Sequence, residues 1–536
     1  MTESAAPRTP GPLGPLAISL SGGGYRAAAF HLGMLKLLHR AGLLEDVVGL
    51  STVSGGTLVG MSWVVSQLDG ESFPDFHTRF SGWMQRTNVI ALALDGLAQR
   101  RSGMRNSWPS LIRGAAEVYD RPDLLNGRRF GEVLHARGLP LRQIIFNSTE
   151  FHTGVDFRFR AAESPLARIG NGNYRVPRRV AEHLRLADIA AASSCFPGGF
   201  EPIVFPQHFA WPAEFPLADA LRELGPSYKS GLPLMDGGIY DNQGIDALVL
   251  ALKRSEAETL LISDVAAKQK DIYNVPPPSH SRGYLTLEWV SRLGWVLLLL
   301  ALVSAVLLGM DAVRALRDGT WRWTEAFVYL FPGLLSAGVV TALVWLRRRL
   351  RTGEALAEKE LNVDVWGAVR RLTVPEVQEM VTLRVGSLLA LTSSIFMKRV
   401  RSLVYKGVYQ DEKYKGRRMA NLIYSLGEDV PKLFAAHPWL KPSAELVTLS
   451  DTVSAMGTTL WFDQHVRFEP LDRAGQATAC FILLRHIVED RPGYDFPGTP
   501  LNALFERLRG MWMEYNGPVA ATARPVPAAI GVTATV

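Results

Sequence analysis

Leu20-Ser21-Gly22-Gly23-Gly24-Tyr25-Arg26-Ala27 decides how this 536-residue chain is read. A short apolar stretch, Leu16 to Leu20, leads into it. Apolar residues at Ala28, Leu32, Leu35 and Leu38 follow at helical spacing, so the pattern is strand, glycine turn, helix. Glycines let the backbone come close to a ligand with nothing in the way. Their N–H groups stand at a helix N-terminus, where the dipole favours negative charge. Such a turn suits a phosphate or the oxyanion of an ester under attack. A plain tight turn between strand and helix is the third reading.

Two further motifs narrow the choice. Val47 to Val53 is strand-like, Ser54-Gly55-Gly56-Thr57 follows, and a helical pattern resumes from Leu58. A serine between a buried strand and a helix, with glycines after it, is the setting of a nucleophile elbow. The usual pattern is Gly-x-Ser-x-Gly; here Gly56 fills the second glycine position and Thr52 stands at the first. Leu234-Met235-Asp236-Gly237-Gly238 puts a carboxylate at a strand end with little steric cover, though Asp-Gly is also a common hairpin signal.

With these three motifs in this order, the chain resembles the patatin-like phospholipases, with a glycine turn closer to the cytosolic phospholipase A2 variety. Ala191-Ala192-Ser193-Ser194-Cys195-Phe196-Pro197-Gly198-Gly199-Phe200 and Phe146-Asn147-Ser148-Thr149, with Thr153-Gly154 after it, strengthen the likeness. It covers residues 16 to 266 and thins afterwards. The resemblance implies a three-layer α/β/α sandwich and a Ser–Asp dyad without histidine. Ser54 would be the nucleophile and Asp236 the base. Gly22, Gly23 and Gly24 would form the oxyanion hole, and Gly56 the elbow. Arg26 would bind a lipid phosphate or brace the oxyanion turn. A serine hydroxyl needs a base within hydrogen-bond reach, and a partly desolvated aspartate can serve. A Ser–His–Asp triad is the rival, with His31 and His152 near the motifs; His31 reads better as a packing residue. No metal or organic cofactor is called for.

The membrane signal comes next. Leu293 to Met310 is 18 residues without a charge, and Ala326 to Leu346 is another 21. At about 1.5 Å per residue each run can cross a ~30 Å hydrocarbon core. Trp289, Trp295, Trp321, Trp323 and Trp345 mark the ends, as interfacial aromatics do. The outer flanks carry Arg282, Arg292, Arg347, Arg348, Arg349 and Arg351; the loop between carries Arg314, Arg317 and Arg322. This bias puts the flanks on the cytoplasmic side. Residues 1 to 15 hold no apolar h-region, so no signal peptide is evident. The expectation is an inner-membrane protein with two spans and a cytosolic catalytic part.

Composition fits. The hydrophobic fraction of 47% is ample for a core, and two cysteines, Cys195 and Cys480, give neither a disulfide framework nor a metal cluster. The net charge is +7, and the stretch from Lys398 to Arg418 concentrates it, with eight basic and two acidic residues among Phe396, Leu403, Val404, Tyr405 and Tyr409. That stretch reads as a surface for anionic lipid headgroups, a site for a nucleotide effector, or a solvated face; no nucleic-acid partner is expected.

The expected layout is a disordered N-terminus at 1–15, a catalytic first part at 16–285, a transmembrane hairpin at 286–350, a helical remainder of the catalytic domain at 351–516, and a disordered tail at 517–536. Ile90 to Leu97 reads as an interfacial helix and residues 206 to 230 as a lid-like insertion. Thr458 to Trp461 reads as part of the last recognisable element. The activity expected is hydrolysis of phospholipid or lysophospholipid esters through an acyl-enzyme. Neutral-ester lipase, ligand-activated membrane-damaging effector and non-catalytic membrane scaffold are the alternatives.

Overall fold

The computed structural model describes residues 11–100, 110–164, 167–252, 257–266, 286–319, 372–517 and parts of 327–344. The chain divides into two compact units. One comprises residues up to Lys270 together with those from Ile395 onward, and the other runs from Asp271 to Ser394.

The first unit is built on a mixed sheet of eight strands. These are β1 (Leu16–Leu20), β2 (Val47–Val53), β3 (Gln143–Glu150), β4 (Val155–Ala162), β5 (Ile203–Phe205), β6 (Leu232–Asp236), β7 (Thr259–Asp264) and β8 (Arg418–Leu422). The order is β5-β6-β3-β2-β1-β7-β8, with β4 also on β3. The centre, from β3 through β8, is parallel. Its strands other than β8 are buried on both faces, which is why β1 and β2 are near-continuous apolar runs without alternation. Leu16, Ile18, Leu20 and Leu261 point into the larger core, under α1 (Gly24–Ala41) and α2 (Gly55–Leu68). Ala17, Val48, Leu260 and Ile262 face the other way, onto Ile245 and Leu248 and onto Val408 of a helix at Met397–Tyr409. Helix, sheet and helix make three layers.

Residues 11–15, expected in a disordered N-terminus, form a packed turn: Leu13 is buried and its carbonyl accepts the Thr259 hydroxyl at 2.8 Å; residues 1–10 lie outside the described residues. The segment 206–230 is no loose lid. Phe209, Phe215 and Tyr228 are buried, and Phe205 meets Phe209 and Tyr228 edge-on at 5.0 and 5.7 Å. The C-terminal part is not wholly helical, because it supplies β8, parallel to β7. Its sequence, Arg-Met-Ala-Asn-Leu, lacks the apolar run of a central strand; it lies at the sheet edge, where only Met419 and Asn421 are buried. Thr458 to Trp461 is loop, and two long helices follow it, Phe468–Asp490 and Pro500–Asn516. The Ile90–Leu97 stretch lies in a helix, Val89–Arg100, that buries Val89 and Ala93 and exposes Leu94.

In the second unit a 32-residue helix, Leu287–Asp318, is capped by the Thr286 hydroxyl and ends at a left-handed Gly319. Within it, the most apolar 18-residue window of Arg292–Arg317 has a mean hydropathy of 2.6 and is 6% buried, so its leucines face outward. It is the one helix among the described residues long and apolar enough to cross a membrane. Much of the second run, Ala326 to Leu346, lies outside the described residues; residues 333–341 are helical. There Gly333 comes against Ser304, where an added Cβ would be 3.0 Å away, and Ser304 and Ser336 are buried. Trp321, Trp323, Trp345 and the arginines at 282, 322, 347–349 and 351 lie outside the described residues. A second helix, Val374–Ala390, starts on a Thr373–Glu376 capping box and belongs to this unit rather than to the catalytic remainder.

Candidate active site

β2 and β6 run toward each other along one edge of β3, whose other edge is filled by β4. Val53, the last residue of β2, pairs with Asn147. Asp236, the last residue of β6, pairs with the next residue, Ser148. A single register thus delivers the elbow and the Asp-Gly-Gly turn to one point.

Ser54 has φ 51 and ψ −119, a conformation few L-residues adopt. Such a backbone costs on the order of 1–3 kcal/mol and persists only where its surroundings over-determine it. They do so here. The Ser54 carbonyl accepts from Thr57 and Leu58 N–H, and its own N–H donates to Ser193 Oγ at 3.0 Å. Ser193 Oγ in turn donates to the Asn147 carbonyl at 2.7 Å and meets Thr57 Oγ1 at 2.8 Å. Thr57 Oγ1 meets Thr52 Oγ1 at 2.9 Å. Thr52, which departs from the elbow pattern, therefore joins the brace beneath the serine. Its methyl is accommodated because Gly60 opposite has no side chain; a Cβ there would be 2.6 Å away. Gly55 and Gly56 are needed for close approach: a Cβ on either would fall 2.0 Å from the Gly24 carbonyl or 2.3 Å from that of Leu20. They bring the start of α2 against the glycine turn.

Asp236 is held by its backbone. Its N–H donates to the Cys195 carbonyl and its carbonyl accepts the Thr149 hydroxyl, both at 2.9 Å. The Ser148 hydroxyl donates to Ala192 and Met235 carbonyls. The two accessory stretches of the sequence are thus the staples of the site. The Asp236 carboxylate accepts Gly238 N–H at 2.7 Å, and the Ser54 hydroxyl lies near enough to favour its charged form. Burial pushes its pKa up to about 6, against the opposing pull of Gly238 N–H, Ser54 and the Arg401 guanidinium.

The glycine turn lies alongside. A Cβ on Gly22 would be 3.0 Å from Ser54 Cβ. Gly22, expected as an oxyanion donor, instead directs its N–H to the Asn242 carbonyl at 3.0 Å. It is a wall of the site. Gly23 and Gly24 have φ 148 and 56, and Tyr25 N–H donates to the Thr459 carbonyl. The N–H groups of Gly23, Gly24 and Gly55 have no partner among the described residues. Gly55, the residue after the serine, was not singled out from sequence, although that position supplies a donor in nucleophile elbows.

Arg26 does not face the site. Its Nη1 donates to the Met456 carbonyl at 2.6 Å and the Ser454 carbonyl at 3.4 Å, and the side chain is buried. It ties the start of α1 to the segment that covers the glycine turn. His31 is fully buried between Ser263 Oγ and the Ser21 carbonyl, and burial lowers its pKa to about 3. His152 is half exposed beside Glu150, and neither histidine hydrogen-bonds Ser54 or Asp236 among the described residues.

The basic stretch divides. Arg417 caps the carbonyls of Glu258 and Ala257, and Arg418 lies over the Tyr409 ring. Arg401, counted in the sequence only as one charge among eight, donates its Nε to the Gly238 carbonyl at 2.8 Å. Arg399, Lys406, Lys413 and Lys415 remain exposed. No local signal distinguishes Arg401 from them.

A comparison with curated proteins gives no match. Among solved structures, human GIVD cytosolic phospholipase A2 is similar at 12% identity over 48% of this chain and 46% of that chain, with a TM-score of 0.32. The same enzyme with a methyl gamma-linolenyl fluorophosphonate inhibitor and terbium chloride gives 15% identity over 47% and 41%, with a TM-score of 0.29. A full-length SpcU–ExoU complex from the type III secretion system of Pseudomonas aeruginosa gives 15% identity over 95% and 86%, with a TM-score of 0.18. The chain spans less than half the length of the human enzyme it matches. Residues 18–249, which hold the elbow, the glycine turn and the Asp-Gly-Gly end, match the family model for patatin-like phospholipase, and this chain therefore carries a patatin-like phospholipase domain.

Proposed function

We propose that the chain is a membrane-anchored serine acyl hydrolase acting on phospholipid or lysophospholipid esters through Ser54 and Asp236. The single observation that carries this reading is the β3 register, which brings a strained elbow serine beside a buried aspartate of raised pKa. Asp236 takes the hydroxyl proton as Ser54 Oγ attacks the ester carbonyl. The oxyanion forms beside the unpartnered N–H groups of Gly23, Gly24 and Gly55. Collapse breaks the ester C–O bond, and Asp236 returns the proton to the leaving alkoxide. Asp236 then takes a proton from water, whose oxygen attacks the acyl-enzyme; Ser54 recovers its proton as the fatty acid leaves. No step requires a metal or organic cofactor.

The outward-facing apolar helix Arg292–Arg317 supports anchoring. The small-residue contact of Gly333 with Ser304 supports a partner span, since small residues let membrane helices approach closely. The arginine bias of the flanks favours a catalytic part on the cytoplasmic side of the inner membrane. The exposed Arg399, Lys406, Lys413 and Lys415 suit anionic headgroups.

The test is fatty-acid release by the full chain in detergent from lysophospholipid and from diacyl phospholipid. Release that disappears with Ser54→Ala is expected. No release, or release that survives the substitution, would overturn the assignment. Carbonate washing of membranes should leave the chain in the pellet; extraction would overturn the anchor alone.

A further inference from the structure

Arg401 belongs to a helix beyond both the 18–249 match and the Asp271–Ser394 unit, yet it lies on the Asp-Gly-Gly turn. Its Nε is engaged by the Gly238 carbonyl, which fixes the plane of the guanidinium. A Cβ added to Gly238 would lie 2.9 Å from Asp236 Oδ1 and 3.4 Å from Arg401 Nη2. The Asn242 amide oxygen would be nearer still, at 2.5 Å, so the turn is close-packed at Gly238, with the carboxylate and the guanidinium both drawn up to it. Arg401 makes no ion pair with Asp236, or with another carboxylate, among the described residues. Its Nη groups are left to an outside anion, and the charge reaches Asp236 only through space. The guanidinium fork matches the geometry of a phosphate oxygen pair.

Resting on the dyad reading above, we propose that Arg401 is the phosphate-binding residue of this site, holding the headgroup phosphate of a phospholipid while its acyl ester lies at Ser54. The role foreseen for Arg26 falls to Arg401 because Arg26 is committed to the carbonyls of Ser454 and Met456. Arg401 reaches the turn from the inner side of its helix, whose outer side exposes Phe396, Val400, Leu403 and Lys406.

The experiment compares a lysophospholipid with a monoacylglycerol of the same acyl chain, using the full chain in detergent. Arg401→Gln should lower the ratio of kcat/KM, phospholipid over neutral ester, by about tenfold to a hundredfold, the span expected for a hydrogen bond to a charged group. Arg401→Lys should recover part of it, as a charge without the fork. An unchanged ratio, including equal losses on both substrates, would overturn the proposal and leave Arg401 as a support for Gly238. A second arm measures binding of an ether lysophospholipid and the matching alkylglycerol to Ser54→Ala protein. Arg401→Gln should weaken only the phosphate-bearing probe, and this holds or fails even if no hydrolysis is found. Inorganic phosphate that competes as well as the lipid would overturn the headgroup assignment in favour of a free-anion site.

Discussion

Ser54 follows β2 in a strained backbone with φ 51, whereas Asp236 closes β6 and is followed at once by an ordinary helical residue, Gly237 at φ −60. The serine is abnormal in geometry and the aspartate in ionisation. Ser54 is shaped largely by close neighbours: Gly55, Gly56, Thr57 and Thr52, with Ser193 beneath. Asp236 is shaped by distant ones: Cys195, Thr149, Ser54 and Arg401. Ser54 depends on a turn that local sequence can specify, and Asp236 depends on desolvation that only assembly creates. Changes near the elbow should therefore act on kcat, and changes around Asp236 on the pH profile.

The harshest break of this comparison is to remove either partner. Ser54→Ala and Asp236→Asn should each lower kcat by about 10⁴-fold or more, and the double variant should be no worse than the single ones, because one catalytic unit is lost in each case. Additive losses would show that the two residues do not act together.

Gly23→Val should come next. Gly23 has φ 148, and a Cβ there would be 2.7 Å from Val265 Cγ2, so the turn must shift. Loss of one oxyanion donor typically costs ~10²–10³ in kcat. A variant that loses only affinity would mean that the turn holds a ground-state anion instead.

The pH profile sharpens the other side. As the proposed base, Asp236 must be ionised to accept the serine proton, and burial puts its pKa at about 6. The kcat/KM of the free enzyme should be flat above that pH and fall tenfold per unit below it. Arg401→Gln removes a positive charge that favours the carboxylate, so the midpoint should move upward. A midpoint near that of an exposed aspartate would show that water reaches the site freely.

Arg26→Met should have the smallest effect and a different one. It strips a charged donor from the Met456 and Ser454 carbonyls, at a cost of about 1–3 kcal/mol read by chemical denaturation. A change in headgroup preference with no loss of stability would return Arg26 to phosphate binding.

The strand–glycine–helix unit, the elbow and the Asp-Gly-Gly end were legible because each is local: a short apolar run, a change of period and glycines at the join. The accessory stretches around Asn147 and Ser193 were visible as patterns, but not as staples. Their hydroxyl and amide bonds run between strands and helices far apart in sequence. β8 was missed because an edge strand with mixed burial has no apolar run to announce it. The unpartnered N–H of Gly55 follows from the elbow rule itself, whereas the engagement of Gly22 by Asn242 does not.

By itself the sequence determined the turns, the order of the reactive residues and the apolar run from Leu293 to Met310, since backbone freedom and hydropathy are properties of a residue and its neighbours. Tertiary structure alone decided which residues share the site. β3 presents Asn147 and Ser148 as adjacent partners to two strands that arrive from opposite directions, and this brings Ser54 to Asp236. It also separated two arginines that the sequence could not rank. Arg26 stands beside the glycine turn in the chain and is buried away from the reacting atoms; Arg401 lies in a distant helix and reaches the turn that follows Asp236. Burial, and the pKa it raises, belongs to the folded packing around a group and not to its place in the chain.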